Sequence, residues 1–370
     1  MSGRNVLTGE QMRKILVAAI ALLISAAIFA AERIEGPFLI LSTPYNADGS
    51  VNYGCLVKEA RFAASWNTPG VIWPQSNDAV DLLTREERFA GMEALVKAWK
   101  EEPSRTVLTL GVNGDDTEEM AIFAREAERL ADKYGVDIAL CARPPYYGAE
   151  AEQKDYYETL ATIAKRPVII QTYVNDNTPT MSVAFLVELA KKYPAIYGWI
   201  KEESNNLEAN ERQKAELAAS PAIKTVFSAW GGWQWLYQRR QIGTCGLISE
   251  RIAYAPIANC VWQMMKDNDK RGHLTEAYAL YRLVIDQRFL LVDALRGYQL
   301  HYFVRLGLFD TMVSRIHTDE PDAQNGTWSR EAKSKWTLRE EQFTESQIAE
   351  LDKCYDDMLK FVKRYIKKNK

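Results

Sequence analysis

The sequence contains very few histidines. His273, His301 and His317 are the only three, and all of them follow the part of the chain in which strand-like and helix-like segments alternate. Histidine is a common ligand of catalytic zinc and the usual base of a serine-nucleophile triad. The positions of the histidines therefore disfavour both kinds of site in the alternating part of the chain.

The cysteines form no recognisable pattern either. There are five, at positions 55, 141, 245, 260 and 354, with no C-x-x-C spacing among them. An odd, scattered set indicates neither a disulfide framework nor a zinc site. Cys141 and Cys245 lie inside apolar segments, which indicates buried thiols.

Neither sign of charge dominates the chain. There are 46 lysines and arginines against 49 aspartates and glutamates, and the basic stretch at the C-terminus is confined to residues 363–370. A nucleic-acid groove needs a larger basic surface, so we expect no nucleic-acid partner. The composition, 47% hydrophobic and 26% charged, is that of an ordinary globular protein.

One long apolar run is present, at the N-terminus. Arg13-Lys14 precedes Ile15 to Ala31, in which Ser25 is the only polar residue. A basic stretch, an apolar stretch and small residues are typical of a secretory signal. We assign residues 1–31 to a leader and expect an exported or periplasmic protein, with no stable membrane span once the leader is cleaved. The alternatives are an uncleaved membrane anchor and an apolar helix packed on a cytoplasmic protein.

Residues 36–260 alternate between short apolar segments and segments of helical periodicity. The apolar segments begin at roughly 30-residue intervals, the length of a βα unit. Eight alternations favour the α/β class and a TIM (β/α)8 barrel over an open doubly wound sheet, and no G-x-G-x-x-G follows the first strand. Residues 261–370 predict a C-terminal helical region, and we expect a homo-oligomer.

The apolar segment from Ala195 to Ile200 runs directly into Lys201. It predicts a strand that is buried on both faces, and reactive residues of barrels gather at the carboxyl ends of such strands. Apolar surroundings favour the free amine of a lysine, which condenses with carbonyl compounds. The alternative is an exposed lysine neutralised by Glu202 and Glu203.

Polar side chains follow the other predicted strands. The candidates that we select are Thr43, Ser76, Asn77, Tyr147, Gln171, Tyr173 and Ser249. Together with Lys201 they supply an amine, hydroxyls and phenols, which are the groups that Schiff-base chemistry with a phenolic proton carrier requires. We expect no metal and no organic cofactor, because the iminium group itself is the electrophile.

Four segments resemble one protein family in order and spacing. They are Thr43-Pro44-Tyr45, Leu83 to Arg88, Pro145-Tyr146-Tyr147 and, most specifically, Gly198 to Glu202. They resemble the dihydrodipicolinate synthase and N-acetylneuraminate lyase family of class I aldolases and dehydratases. The resemblance implies a TIM barrel with a C-terminal helical region, a Schiff base on Lys201, and a small-molecule substrate that is a 2-oxo acid or a keto sugar acid.

The sequence departs from the family's pattern at three places. The family usually carries Gly-Thr-Thr-Gly-Glu after the second strand, where this chain has Gln75 to Ala79. Gln171 stands where the family has a proton-carrying tyrosine, and Asp176 lies near the position of a carboxylate-binding arginine. True dihydrodipicolinate synthase activity is therefore not expected.

The resemblance also implies roles for the candidates. Tyr173 or Tyr147 would carry the proton, and Ser76, with Thr43 as the weaker candidate, would hold the substrate carboxylate. The further substrate contacts would be Asn77, Gln171 and Ser249.

Two rival functions remain open. The first is a non-catalytic barrel that binds sugar acids and has lost its proton relay. The second is a glycoside hydrolase, which needs two carboxylates facing each other across the barrel mouth. The carboxylates available for that pairing are Glu202 or Glu203 on one side and Asp78 or Asp115 on the other.

Overall fold

The computed structural model describes most of the chain after the apolar leader. The described residues are 34–75, 78, 80–145, 149–172, 180–204, 208–229, 234–266, 271–290, 297–317 and 336–368. The leader lies outside them, so its cleavage stays a prediction. Among the described residues, no helix has both the length and the apolar character that a membrane crossing requires.

Eight parallel strands close into a barrel. They are β1 (Gly36–Ile40), β2 (Gly70–Trp73), β3 (Val107–Gly111), β4 (Ile138–Ala142), β5 (Val168–Gln171), β6 (Trp199–Glu202), β7 (Thr225–Ser228) and β8 (Gly246–Leu247). β1 pairs with both β2 and β8, which closes the barrel. The predicted TIM barrel is confirmed. β6 extends beyond its predicted end and includes Lys201.

Helices alternate with the strands. They are α1 (Tyr53–Ser65), α2 (Arg85–Glu101), α3 (Thr117–Tyr134), α4 (Glu150–Ile163), α5 (Val183–Lys192), α6 (Ala209–Ala218), α7 (Trp235–Gln241) and, after β8, α8 (Ala255–Lys266). A capping box opens α2: the Thr84 side chain accepts from the Glu87 amide, and the Glu87 side chain accepts from the Thr84 amide. The two bonds satisfy amides that a helix start leaves free.

The C-terminal region contains helices and one hairpin. The helices are α9 (Arg271–Leu290), α10 (Gly297–Arg305) and α11 (Glu345–Lys368). The strands β9 (Val313–His317) and β10 (Trp336–Glu340) pair antiparallel. The sequence pattern did not predict this hairpin, because both strands carry charged residues and neither forms an apolar run.

Alternation along the barrel strands separates two apolar layers. The barrel interior holds Ile34, Phe38, Ile40, Ile72, Val107, Ala139, Cys141, Ile169, Trp199, Phe227 and Ile248. The intervening residues, such as Leu39, Val71 and Ile200, pack beneath the helices. Successive side chains of a strand point to opposite faces, so residues two apart share a face.

Candidate active site

Lys201 lies inside the barrel, near the carboxyl end of β6. Trp199, two residues earlier, belongs to the interior layer, whereas Ile200 belongs to the layer beneath the helices. The Lys201 side chain is 2% exposed, and its Cα pairs with Gln171 of β5 and Phe227 of β7. A strand-end nucleophile of a barrel needs this position and this direction.

Glu203 is the charged partner of this lysine. Its Oε2 atom lies 3.0 Å from Lys201 Nζ, and the Glu203 side chain is 15% exposed. The side-chain amide of Gln171 donates to the same Oε2 atom. The Glu203 backbone amide donates to Thr172 Oγ1 at 2.8 Å, which anchors this residue to the end of β5. Two neighbouring strands therefore hold one carboxylate against the amine.

Glu202 points away from the barrel interior, toward α6. Its Oε1 atom accepts from the Ser204 amide at 2.9 Å and from Arg212 Nε at 3.3 Å. Burial, and then the neighbouring carboxylate of Glu202, raise the pKa of Glu216 well above its ordinary range. The two glutamates that follow Lys201 thus have different surroundings, and only the one at i+2 faces the lysine.

Cys141 of β4 and Gln75, which follows β2, lie in the same interior. Gln75 Nε2 donates to Cys141 Sγ at 3.1 Å, and both residues are buried. Burial raises the pKa of the Cys141 thiol to about 11, although the nearby charge of Lys201 acts in the opposite direction. The thiol is therefore protonated at neutral pH and forms part of the apolar wall near Lys201.

Thr43 is held at the mouth by several hydrogen bonds. Its amide donates to Asp78 Oδ1 at 3.0 Å, its hydroxyl donates to Asp78 Oδ2, and Trp73 Nε1 donates to the hydroxyl at 3.0 Å. Arg251 Nη1 lies 3.5 Å from Asp78 Oδ1. These contacts fix the loop after β1 to the loop after β2. They also occupy the Thr43 hydroxyl, which was predicted as a candidate ligand of the substrate carboxylate.

Glu59 lies behind this loop. Both of its carboxylate oxygens accept from the Ser42 amide, at 3.0 and 3.1 Å. Burial raises the pKa of Glu59 well above its ordinary range; the Ser42 hydrogen bonds act against this, and Asp78 adds to it. The carboxyl group supports the end of β1 from outside the mouth.

A second polar cluster follows β3 and β4. A cavity of about 320 Å³ is lined there by Arg88, Asn113, Asp115 and Arg143, among others. Asn113 Oδ1 accepts from the Arg143 amide at 3.0 Å, and Arg143 Nη2 lies 3.8 Å from Asp115 Oδ1. Burial lowers the pKa of Arg88 to about 9, which still leaves a cation at neutral pH.

Two predicted contact residues have unpartnered buried atoms. Gln171 Oε1 and Ser249 Oγ are both buried, and within the described part of the chain neither has a hydrogen-bond partner. Such atoms are rare in folded proteins unless water or a ligand satisfies them. The other candidates, Ser76, Asn77, Tyr147 and Tyr173, lie outside the described residues.

Comparison with known proteins identifies the family of this barrel. Residues 33–291, which include all eight barrel strands and the helices α8 and α9, match the dihydrodipicolinate synthetase family. The chain belongs to the dihydrodipicolinate synthetase family. Within this family, a 4-hydroxy-tetrahydrodipicolinate synthase of Neisseria meningitidis serogroup B is 26% identical over 183 residues, which are 48% of this chain and 58% of that protein. The match therefore spans less than two thirds of the relative.

Solved structures share the fold at lower identity. A 4-hydroxy-tetrahydrodipicolinate synthase from Methylacidiphilum fumariolicum SolV has a TM-score of 0.66 at 15% identity, covering 90% of this chain and 99% of that one. A sialic acid aldolase from Ruminococcus gnavus has a TM-score of 0.67 at 15% identity, with the same coverage. At such identities the likeness establishes the barrel fold of the family.

The contact between Glu203 and Lys201 was not predicted from the sequence. Glu203 was interpreted there as a neutraliser of an exposed lysine or as one carboxylate of a glycoside hydrolase. The signal was present: Lys201 and Glu203 are two residues apart, so a strand that continues past Lys201 puts both on one face. The continuation of β6 through Lys201 and Glu202 was not predicted, because both residues are charged and strands were predicted from apolar runs.

Proposed function

We propose that this protein is a lyase, an aldolase or a dehydratase, that forms a Schiff base between Lys201 and a 2-oxo acid or keto sugar acid. The observation that carries the proposal is the ε-amino group of Lys201. It is almost fully buried at the end of β6, 3.0 Å from a carboxylate, in a barrel of the dihydrodipicolinate synthetase family. An amine can condense with a carbonyl group there, and the resulting iminium withdraws electrons for C–C cleavage or loss of water.

The other predicted residues receive roles in this proposal. Ser76 binds the substrate carboxylate, with Thr43 as the weaker candidate because its hydroxyl already donates to Asp78. Tyr173 or Tyr147 moves the proton after condensation. Asn77, Gln171 and Ser249 contact the rest of the substrate. The unpartnered Gln171 Oε1 and Ser249 Oγ support contact with a polar substrate.

We further propose that dihydrodipicolinate synthesis is not the reaction. Gln171, whose amide does not titrate near neutral pH, occupies the end of β5. Asp176 stands near the position expected for a carboxylate-binding arginine. Assaying pyruvate with aspartate semialdehyde tests this point, and turnover of that pair would overturn it.

The test of the Schiff base is borohydride trapping read by intact mass. The protein is incubated with pyruvate or another 2-oxo acid and then reduced. The expected product is heavier by the 2-oxo acid less one oxygen atom, and peptide mapping locates the addition on Lys201. Lys201→Met is expected to abolish the adduct while circular dichroism still reports a folded barrel.

Lys224 provides the matched control for non-specific labelling. Burial lowers the pKa of this amine, and its Nζ atom lies 3.9 Å from the centre of the Trp199 ring, at the start of β7 and away from the mouth. Labelling of Lys224 in place of Lys201 would mean that reactivity follows amine availability and not a substrate site. An absence of any adduct would favour the sugar-acid-binding alternative.

We also propose export and a homo-oligomeric state. The n-region and apolar run of residues 12–31 support export, and N-terminal sequencing of natively purified protein tests it. A mature chain that keeps Met1 or Met12 and fractionates with the cytosol would overturn it. Light scattering of the purified protein tests the homo-oligomer.

A further inference from the structure

Lys201 and Glu203 form an ion pair that is nearly removed from water. The lysine side chain is 2% exposed and that of the glutamate 15%. Charges are rarely buried without a partner, and pairing alone would explain why a buried lysine has a carboxylate beside it. The further question is whether this pair only neutralises charge or also exchanges a proton.

The geometry is suited to proton exchange. The separation of 3.0 Å between Nζ and Oε2 lies within the range over which a general base takes a proton directly. Gln171 donates to the same oxygen, and Thr172 Oγ1 accepts from the Glu203 backbone amide, so the end of β5 supports both the carboxylate and the backbone of this residue.

The neighbouring groups do not offer an alternative carrier. The amides of Gln75 and Gln171 do not titrate near neutral pH. Burial raises the pKa of the Cys141 thiol to about 11, so it does not accept a proton at working pH. Among the described side chains of this interior cluster, Glu203 is therefore the group that can exchange a proton with Nζ.

We propose that Glu203 is the catalytic proton carrier of Schiff-base formation at Lys201, and that Gln171 is the positioning residue that orients it. This inference rests on the proposed function, since it assigns a role within that reaction. The tyrosine candidates keep their role in the proton transfers that follow condensation, because Glu203 acts during condensation.

The steps balance in protons and charge. The Glu203 carboxylate takes a proton from the Lys201 ammonium, and the free amine adds to the 2-oxo carbon, forming the C–N bond. A proton moves from nitrogen to the former carbonyl oxygen, which gives the carbinolamine. Glu203 then returns its proton to the hydroxyl group as the C–O bond breaks and water leaves. The protonated iminium and the Glu203 carboxylate remain as an ion pair.

The test follows the rate at which the trapped adduct forms, by quenching with borohydride at increasing times. Glu203→Gln keeps the shape and a hydrogen bond but cannot carry the proton. We expect the same final adduct on Lys201, formed on the order of 10²–10⁴-fold more slowly. Gln171→Leu is expected to slow formation by less, because the carboxylate is still present but less well oriented.

The pH profile separates proton transfer from a structural role. In the wild type, adduct formation is expected to vary little across the neutral range, because Glu203 takes the proton. In Glu203→Gln the rate of adduct formation should rise steadily with pH, because hydroxide must take the proton. Added formate should accelerate Glu203→Ala in proportion to its concentration without changing the melting temperature.

The outcomes distinguish the two proposals. If the wild type forms no adduct on Lys201, the Schiff-base function fails and this inference fails with it. If the wild type forms the adduct and Glu203→Gln forms it at the same rate with the same pH profile, the function stands and the role of Glu203 is overturned. The role of Glu203 is also overturned if Glu203→Gln forms the adduct more slowly with the wild-type pH profile and formate does not accelerate Glu203→Ala. That result is expected of a residue that only supports the fold.

Discussion

At the scale of single residues, Cys141 shows the effect of burial in the interior near Lys201. Its thiol is fully buried, and burial raises its pKa to about 11 although the charge of Lys201 acts in the opposite direction. The thiolate is the reactive form of cysteine. We therefore expect Cys141 to resist iodoacetamide at pH 8 in the native protein, while the partly exposed Cys354 reacts.

Mass mapping of alkylated peptides measures this difference. Denaturation before labelling serves as the control, since both thiols should then react at similar rates. Rapid native labelling of Cys141 at pH 8 would mean that the interior opens to solvent more readily than its burial indicates.

The site also shows which residues a sequence can identify. Lys201 was predictable because an apolar run leads directly to it and the family pattern surrounds it. Glu203 was not, because its direction depends on β6 continuing through two charged residues. Thr43 has the expected position, but its contacts with Trp73 and Asp78 join distant segments that no local pattern connects.

At the scale of elements, α2 packs closely against β2 through a glycine. A Cβ atom at Gly91 would overlap the ring of Trp73, which is fully buried. Overpacking of this kind typically costs about 1–3 kcal/mol. Gly91→Ala is therefore expected to lower the free energy of unfolding by about that amount, measured by urea denaturation.

Gly54→Ala is the matched control for this substitution. Gly54 lies in α1, and the nearest atom to an added Cβ is Asn52 Oδ1 at an ordinary 3.4 Å. Alanine favours helix over glycine by up to about 1 kcal/mol, so this variant should be neutral or more stable. Equal losses from both variants would contradict the packing explanation.

The hairpin of β9 and β10 is attached to the barrel through Arg315. This buried guanidinium bonds to both oxygens of Glu87, at 2.8 and 2.6 Å, and to the carbonyl groups of Gly49 and Leu82. Burial acts to raise the pKa of Glu87, but the hydrogen bonds from Arg315 and from the Thr84 amide, together with the charge of Arg315, leave that pKa lowered. The capping residue of α2 thus also holds the C-terminal region.

Removal of Arg315 should detach this hairpin. Breaking a buried pair by deleting one partner typically costs about 3–5 kcal/mol, so Arg315→Ala should lower stability by that order. Amide exchange in residues 336–340 should accelerate as well. Arg339→Ala, which removes a pair with Glu341 from a side chain that is 32% exposed, should cost less than about 1 kcal/mol. Unchanged exchange in Arg315→Ala would show that other contacts dock the hairpin.

At the scale of the whole molecule, two buried carboxyl groups link stability to pH. Burial is the main cause that raises the pKa of both Glu59 and Glu216 above its ordinary range. Between the unfolded pKa and the raised one, the folded chain holds protons that the unfolded chain has released. The contribution of these two groups to the free energy of unfolding is therefore complete below the pKa that they have in the unfolded chain. It is lost as pH rises through the pKa that they have in the folded chain.

Glu216→Gln should remove part of this dependence. One group contributes a slope of at most about 1.4 kcal/mol per pH unit, and the neutral amide has no such slope. We expect a flatter stability curve and a more stable protein at alkaline pH, measured by thermal melts from pH 5 to pH 9. Glu211→Gln, on the exposed face of the same helix α6, should leave the slope unchanged. A steeper slope in Glu216→Gln would contradict the assignment.

The overall architecture was the most predictable property of the chain. Buried parallel strands need continuous apolar runs, and the alternation of these runs with segments of helical periodicity predicted the barrel. The hairpin was not predictable in the same way, since neither of its strands forms an apolar run and its buried ion pair joins Arg315 to the distant Glu87. β9 and β10 are far apart in the sequence, and no local pattern indicates that they pair.

The ion pair of the site comes from one short stretch of chain, Lys201-Glu202-Glu203, with a single supporting amide from the adjacent strand. This arrangement needs only three side chains. A lysine, any outward residue and a glutamate at the end of one barrel strand, with a glutamine ending the strand before it, make a signature of three positions that can be searched for in other genomes. The same three substitutions could be grafted onto an inert barrel, where the acquisition of a reducible adduct would show that the stretch carries its reactivity with it.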